Sequence, residues 1–312
     1  VKLLSFLVLL KIYGCSLSNS RIFPDDNNQQ VVVEIEPSNE TYQLFSGGDS
    51  SCYLYEDFDI RCWGKQTFSS LRSEDPKSLA MGRDFICYID QSDQAECWSE
   101  RDDADLSLPT ELAPKSVTRI AAGDSHACMI DSDSFLYCWG SNEFDQSDVP
   151  SLLVNVPILF ISAGERHSCA IDSDQELSCW GDDQFSQTTI PSSVRSKSFA
   201  TVSAGGDHTC AIETDGDLHC WGAIIVDRTV ITKSFSSVSS GKNHVCAIDR
   251  SSDLYCWGNN DQGQTTLPAD YLNYNFLAIG SGDSHSCAHT SNNKTLCWGK
   301  SDEGQLDAGS LP

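Results

Sequence analysis

The chain has 312 residues, with 45 acidic and 20 basic side chains and a formal net charge of −25. That surface repels phosphate backbones and anionic membranes, so nucleic acid is excluded as a natural partner, whereas a basic protein or a cation is not. The length suits one large domain or two ordinary ones.

The chain begins with Lys2, an apolar run from Leu3 to Leu10 and then small residues, the layout of a secretory leader over residues 1–18, cut after Ser16 or Ser18. The run is too short to span a bilayer. An alternative reads "IYGC" as a lipoprotein signal that anchors the chain through Cys15. Residues 19–41 follow as a polar lead-in, and the alternating "VVVEIEPSNETYQLF" predicts a strand that helps to close whatever architecture follows. From residue 42 to 312 the chain is repetitive.

The repeat is carried by cysteine. Apart from Cys15, the 15 cysteines fall into seven pairs: Cys52 and Cys62, Cys87 and Cys97, Cys128 and Cys138, Cys169 and Cys179, Cys210 and Cys220, Cys246 and Cys256, and Cys287 and Cys297. Each pair is spaced C-x9-C, and each second cysteine is followed by one of the seven tryptophans. The first cysteines stand 35, 41, 41, 41, 36 and 41 residues apart, a period that marks a repeat architecture. Within a unit, "SCAIDSDQELSCW" reads as two short strands around an Asp/Ser turn. If Cys169 faces Cys179, then Ile171 faces Leu177, and the same register sets Ile130 opposite Leu136, Ile212 opposite Leu218, Ile248 opposite Leu254 and Leu54 opposite Ile60. A three-residue loop remains, and Gly216 in "TDG" suits its left-handed last position. In the last unit His289 faces Thr295, which predicts a less well packed hairpin. Three or four short strands repeated seven times predict an all-β, seven-bladed propeller, because such a unit buries both of its faces only by stacking in a ring.

The residues "GDSHACMIDSDSFLYCWGSN", "GGDHTCAIETDGDLHCWG" and "GKNHVCAIDRSSDLYCWGNNDQGQ" share G-x-x-H-x-C, a turn, C-W-G and, where the unit runs on, G-Q. They resemble the repeat of the regulator of chromosome condensation family over about residues 42 to 306. The resemblance implies the propeller fold; its founding member is a nuclear exchange factor for a small GTPase that also binds chromatin. The leader, the acidity and the cysteine pair in every unit depart from that member. The cysteine pattern is closer to exported relatives, among them a bacterial β-lactamase inhibitor protein and plant receptor kinase ectodomains.

H-x-C with a second cysteine offers zinc-ligand types in five units. Ser50 and Phe85 replace the histidine in the first two units, which nevertheless keep both cysteines. The cysteines travel together, which favours seven disulfides over zinc or free thiols in an exported chain. His126, His167, His208, His244 and His285 read as turn residues bonding the backbone rather than as a ring of ligands. "GDSH" at Gly123 and Gly282 suggests an esterase nucleophile, but "GERH", "GGDH" and "GKNH" fill the same column, so Ser125 and Ser284 are repeat positions. The Asp-rich turns lack EF-hand spacing, and turn chemistry accounts for them. The tryptophans are expected in the core between blades. Phe68, Phe144 and Phe185 stand five residues after Trp; core packing is one reading, an aromatic contact patch on a binding rim the other. "SERDDADLSLP" and "WGAIIVDRTVITK" break the repeat and mark loops suited to specific binding.

These observations predict an exported, monomeric, non-enzymatic module that binds an unidentified, basic protein partner through rim loops, without cofactor or metal. An inhibitor of a secreted hydrolase and an exchange-factor-like regulator are the alternatives.

Overall fold

The computed structural model describes residues 21–22, 33–34, 43–55, 60–66, 76–99, 106–226, 232–269 and 271–308. The chain divides into two units, Val1–Thr41 and Tyr42–Pro312. In the first, β1 (Arg21–Ile22) pairs antiparallel with β2 (Val33–Glu34). Residues 1–18, where a leader is expected, lie outside the described residues, Cys15 among them.

The second unit is seven antiparallel three-stranded sheets, each consecutive in sequence. Blade one comprises β3 (Gln43–Gly47), β4 (Ser50–Leu54) and β5 (Ile60–Gly64); blade two β6 (Ser78–Met81), β7 (Phe85–Ile89) and β8 (Ala95–Ser99). Blade three comprises β9 (Val117–Ala122), β10 (His126–Asp131) and β11 (Leu136–Gly140); blade four β12 (Ile158–Ala163), β13 (His167–Asp172) and β14 (Leu177–Gly181). Blade five comprises β15 (Phe199–Ala204), β16 (His208–Glu213) and β17 (Leu218–Gly222); blade six β18 (Phe235–Ser240), β19 (His244–Asp249) and β20 (Leu254–Gly258); blade seven β21 (Phe276–Ser281), β22 (His285–Thr290) and β23 (Thr295–Gly299).

The hairpin register is the one the alternation dictates. Cys169 pairs with Cys179 and Ile171 with Leu177, and all seven blades repeat this. Facing cysteines have Cα atoms 4.0–4.1 Å apart and form one disulfide per blade. In blades two to seven the last residue of the three-residue loop is left-handed: Asp93, Ser134, Gln175, Gly216, Ser252 and Asn293 all have positive φ. An aspartate opens most of these turns and cages them. Asp131 Oδ1 accepts from the amides of Asp133 (3.0 Å) and Phe135 (2.9 Å), and Asp172 and Asp249 do the same in their blades. One oxygen of each of these carboxylates is thus engaged by its own turn.

The middle strands of the blades are almost wholly buried because a neighbouring blade covers each face. The disulfide face of one blade meets the tryptophan face of the next. Cys128, Ile130 and Leu136 of blade three pack with Ala170 and Trp180 of blade four. Cys169, Ile171 and Leu177 pack with Ala211 and Trp221 in the same way. The ring closes with the same faces in contact, Cys287 of blade seven packing with Tyr53 and Trp63 of blade one and with Ala308. Trp63 Nε1 donates to the Gln305 carbonyl (3.0 Å) and Asp283 N to Gly48 O (2.7 Å). No strand is exchanged across this seam among the described residues. Val33–Glu34 of the lead-in pair with β1, so the expected closing strand is not among the described elements of blade seven.

His289 corrects the expectation of a poorly packed last hairpin. It is 1% exposed, its Nε2 stands 3.3 Å from Tyr53 Oη and its Nδ1 3.3 Å from Thr295 Oγ1. The polar pair is therefore absorbed by the seam between blades seven and one, which supplies partners that the hairpin alone does not.

Candidate interaction face

His126 pairs with Gly140, so the G-x-x-H turn of each blade and the loop after its tryptophan emerge at the same end of the ring. The turn needs glycine because the next blade comes close: a Cβ on Gly123 would stand 2.3 Å from Gly164 O and 2.5 Å from His126 Cε1. The histidine behind it is a bolt between blades. His126 Nε2 lies 2.8 Å from Ser168 Oγ, which donates to Gln146 O (2.9 Å). The serine proton is therefore committed, and His126 must donate from Nε2. His167 meets Thr209, His244 meets Ser286 and His285 meets Ser51 in the same way. Burial pushes these histidines down, to about 4 for His126, His208 and His285 and about 3 for His167 and His244. They are neutral at ordinary pH and buried behind the turns, which suits a structural role.

The recurring G-Q glutamine is a second bolt, one to which its spacing in the sequence assigns no role. Its carbonyl receives the indole N–H of the following blade: Trp180 on Gln146 (3.0 Å), Trp221 on Gln187 (2.9 Å), Trp298 on Gln264 (2.8 Å). Its side-chain oxygen receives the amide two residues upstream, as Gln146 does from Phe144 (2.9 Å). The seam between blades five and six lacks both bolts. Val245 stands where the serine or threonine should be, and among the described residues neither His208 Nε2 nor Trp257 Nε1 has a partner.

The turn residue after each glycine reaches the channel mouth, and here the sevenfold symmetry is lost. Five of these positions are charged: Arg83, Asp124, Glu165, Lys242 and Asp283. Arg83 Nε lies 2.5 Å from Asp124 and its Nη2 3.7 Å from Glu165, while Lys242 Nζ is 3.3 Å from Glu165. Burial raises Asp124 to about 6 against the lowering effect of Arg83, and burial also raises Asp283.

Outside this ring lies the rim. Phe144 is half-buried, with the Arg166 guanidinium 5.0 Å from its ring centroid, and Phe185 is 51% exposed. Phe68 lies outside the described residues; Phe144 and Phe185 stand on consecutive loops after their tryptophans. Ser125 and Ser284 are plain turn positions whose carbonyls accept from Ser141 N (2.8 Å) and Lys300 N (2.9 Å). Among the described residues no three His, Cys, Asp or Glu side chains converge to hold a metal ion.

Five segments, 117–146, 158–187, 199–223, 235–264 and 276–305, match the regulator of chromosome condensation (RCC1) repeat. The chain is a member of the RCC1-repeat family. No curated protein matches it. Among solved structures, it resembles the ectodomain of the Physcomitrella patens receptor kinase CR4, with 24% identity, a TM-score of 0.67, and coverage of 82% of this chain and 72% of that one. It also resembles the CRINKLY WD40 ectodomain of the Arabidopsis thaliana receptor kinase ACR4 (23%, TM-score 0.66, 86% and 98% covered). Saccharomyces cerevisiae Prp20p, described with binding to Gsp1p and histones, matches at 17% identity and a TM-score of 0.64, with 84% and 83% covered. These likenesses show the propeller fold.

The RCC1 match also locates where this ring is irregular. Blades one and two, with Ser50 and Phe85 in the histidine column, fall outside the matched segments, and the blade-five match stops at residue 223, where the G-Q loop is replaced. Full RCC1 repeats are thus the blades that carry both bolts to their neighbours; at the departures the contacts differ, with Trp139 Nε1 donating to Leu106 O (3.2 Å) between blades two and three and Gln66 Nε2 to Asp84 (3.1 Å) between blades one and two.

Proposed function

We propose that this chain is an exported, non-catalytic protein-interaction module that works through the end of the ring carrying the G-x-x-H turns and the loops after tryptophan. The observation that carries the reading is the contrast between the two kinds of surface. The bolts repeat from blade to blade, whereas the charged mouth and the Phe144–Phe185 rim break the symmetry. Seven disulfides suit an oxidising compartment, and the Lys2 to Leu10 leader suits delivery to one. The likeness to two plant receptor ectodomains supports the same direction. The charge of −25 favours a basic partner. Among the described residues no helix is long and apolar enough to cross a membrane.

The test is retention of secreted proteins on the immobilised, oxidised chain. Retention should be lost with Phe185→Asp and kept with Asp174→Asn at the hairpin-turn end. Equal retention by both variants refutes the assignment of the face. Intact mass after alkylation without reductant checks the compartment: blade cysteines that react with the alkylating agent in the freshly isolated protein would overturn export.

A further inference from the structure

Between the mouth and the rim, at blades four and five, one group of polar side chains is left incompletely satisfied. Asp182, two residues after Trp180, is 5% exposed, and its Oδ2 has no hydrogen-bond partner among the described residues. Arg166 Nη1 faces that oxygen from 4.0 Å, too far for a hydrogen bond. Gln187 Nε2, fully buried on the same loop, also lacks a partner. The equivalent glutamines do not: Gln146 Nε2 donates to Ser141 and Gln264 Nε2 to Asn259, the residues that occupy the Asp182 position in their blades. A carboxylate oxygen buried without a donor costs free energy that an arriving donor recovers.

The local charge has the same sign of deficit. Arg166 is shared between Glu165 (3.6 Å) and Asp182, while Glu165 also serves Lys242. Burial first, and then the charge of Glu165, hold the Asp207 carboxyl above its ordinary range, against the lowering effects of Arg166 and Lys242. Arg83, Arg166 and Lys242 all bear on Glu165, which leaves Asp182 with only the 4.0 Å approach of Arg166 among the described residues. Apolar surface for the stem of a long side chain stands alongside, with Phe144 under Arg166 and the exposed Phe185 on the next loop.

We propose that this end of blades four and five receives a lysine or arginine side chain of the protein partner, its cationic head taken by Asp182 and Asp207 and its stem by the Phe185 loop. The proposal rests on the interaction-module reading and adds the chemistry of the contact. Arg166 is then a competitor held in place by Phe144 rather than the recognition group. That assignment fixes a sign: removing Arg166 frees the carboxylates.

The probe is a capped Gly-Lys-Arg-Gly peptide, titrated into the full oxidised chain at low salt, beside its acetyl-lysine/citrulline counterpart and a capped Gly-Glu-Asp-Gly peptide. The expected result is binding of the basic peptide only. Asp182→Asn with Asp207→Asn should weaken it by about tenfold, the scale of one lost interfacial charge pair, and Arg166→Ala should tighten it several-fold. Asp174→Asn, at the opposite end, should leave it unchanged, and near-native circular dichroism of the double variant separates loss of the site from loss of fold. Binding of the acidic peptide, or weakening by Arg166→Ala, would overturn the proposal by making Arg166 an anion receptor. Equal binding of basic and neutral peptides would overturn it too. If no peptide binds while Phe185-dependent retention persists, the cation site fails and the module stands. If the peptide binds and nothing secreted is retained, the module reading fails instead.

Discussion

Replacing Ser168 with alanine removes one inter-blade bolt and tests how the ring is held. The mutation deletes the 2.8 Å acceptor of His126 Nε2, and both residues are fully buried. Gln146 O keeps its other donor, Trp180 Nε1 at 3.0 Å, so one stranded donor is the main consequence. Stranding a buried donor costs about 1–3 kcal/mol, whereas a pair of apolar groups of suitable shape is nearly neutral. The chain contains that apolar pair: Phe85 of blade two occupies the histidine position facing Ala127 of blade three. Ser168→Ala should therefore destabilise by about 1–3 kcal/mol, and adding His126→Phe should recover most of the loss. Equilibrium denaturation in urea under non-reducing conditions, with the slope checked for constancy, measures both. A single variant within about 0.5 kcal/mol of the parent, or a double variant worse than the sum of its singles, would refute the account of the bolt.

Three further outcomes are expected. Removing one staple by Cys169→Ala with Cys179→Ala should cost about 2–3 kcal/mol in the same assay, the entropy of closing a loop of about ten residues. Acid should destabilise the ring: the five column histidines have folded pKa values of about 3–4, below the unfolded value of about 6.5. The unfolded chain then binds more protons, so stability present above pH 6.5 is lost as pH falls from about 6.5 toward 4, and His126→Phe should flatten that slope. Asp124 works in the opposite direction, since its folded value of about 6 lies above the ordinary carboxylate value. Its penalty is fully present above pH 6 and relieved as pH falls toward 4, so Asp124→Asn should steepen the acid loss measured by denaturation at stepped pH. Finally, Gly123→Ala forces a Cβ to 2.3 Å from a backbone carbonyl of blade four and should destabilise by about 1–3 kcal/mol in the same assay.

Much of the blade is legible in the amino-acid sequence. Cys169 facing Cys179 follows from strand alternation across a three-residue loop, and the left-handed turn position is visible as Gly216. The column histidine has the sequence surroundings of a backbone-bonding turn residue; its actual partner is a side chain on the next blade, 42 residues away in the sequence for His126 and Ser168. The sequence carries a trace of this, since serine or threonine follows the histidine column wherever the preceding blade has histidine, except at Val245. The symmetry-breaking residues near the axis, Arg83, Asp124, Glu165, Lys242 and Asp283, are hidden as the variable letter of G-x-x-H. Phe144 and Phe185 are visible, but neither the stacking of Arg166 on Phe144 nor the unsatisfied Asp182 and Gln187 beside them is.

By itself the sequence determined the blade count, the hairpin register and the disulfide pairing, because each is decided within about ten residues by spacing and by the period-two geometry of a strand. Which blade face meets which, how the ring closes through Trp63 and Gln305, and which charges converge at one end were decided by tertiary structure alone. Those contacts join residues from different repeats, and a repeat that looks the same seven times carries no local signal of what its neighbour places against it.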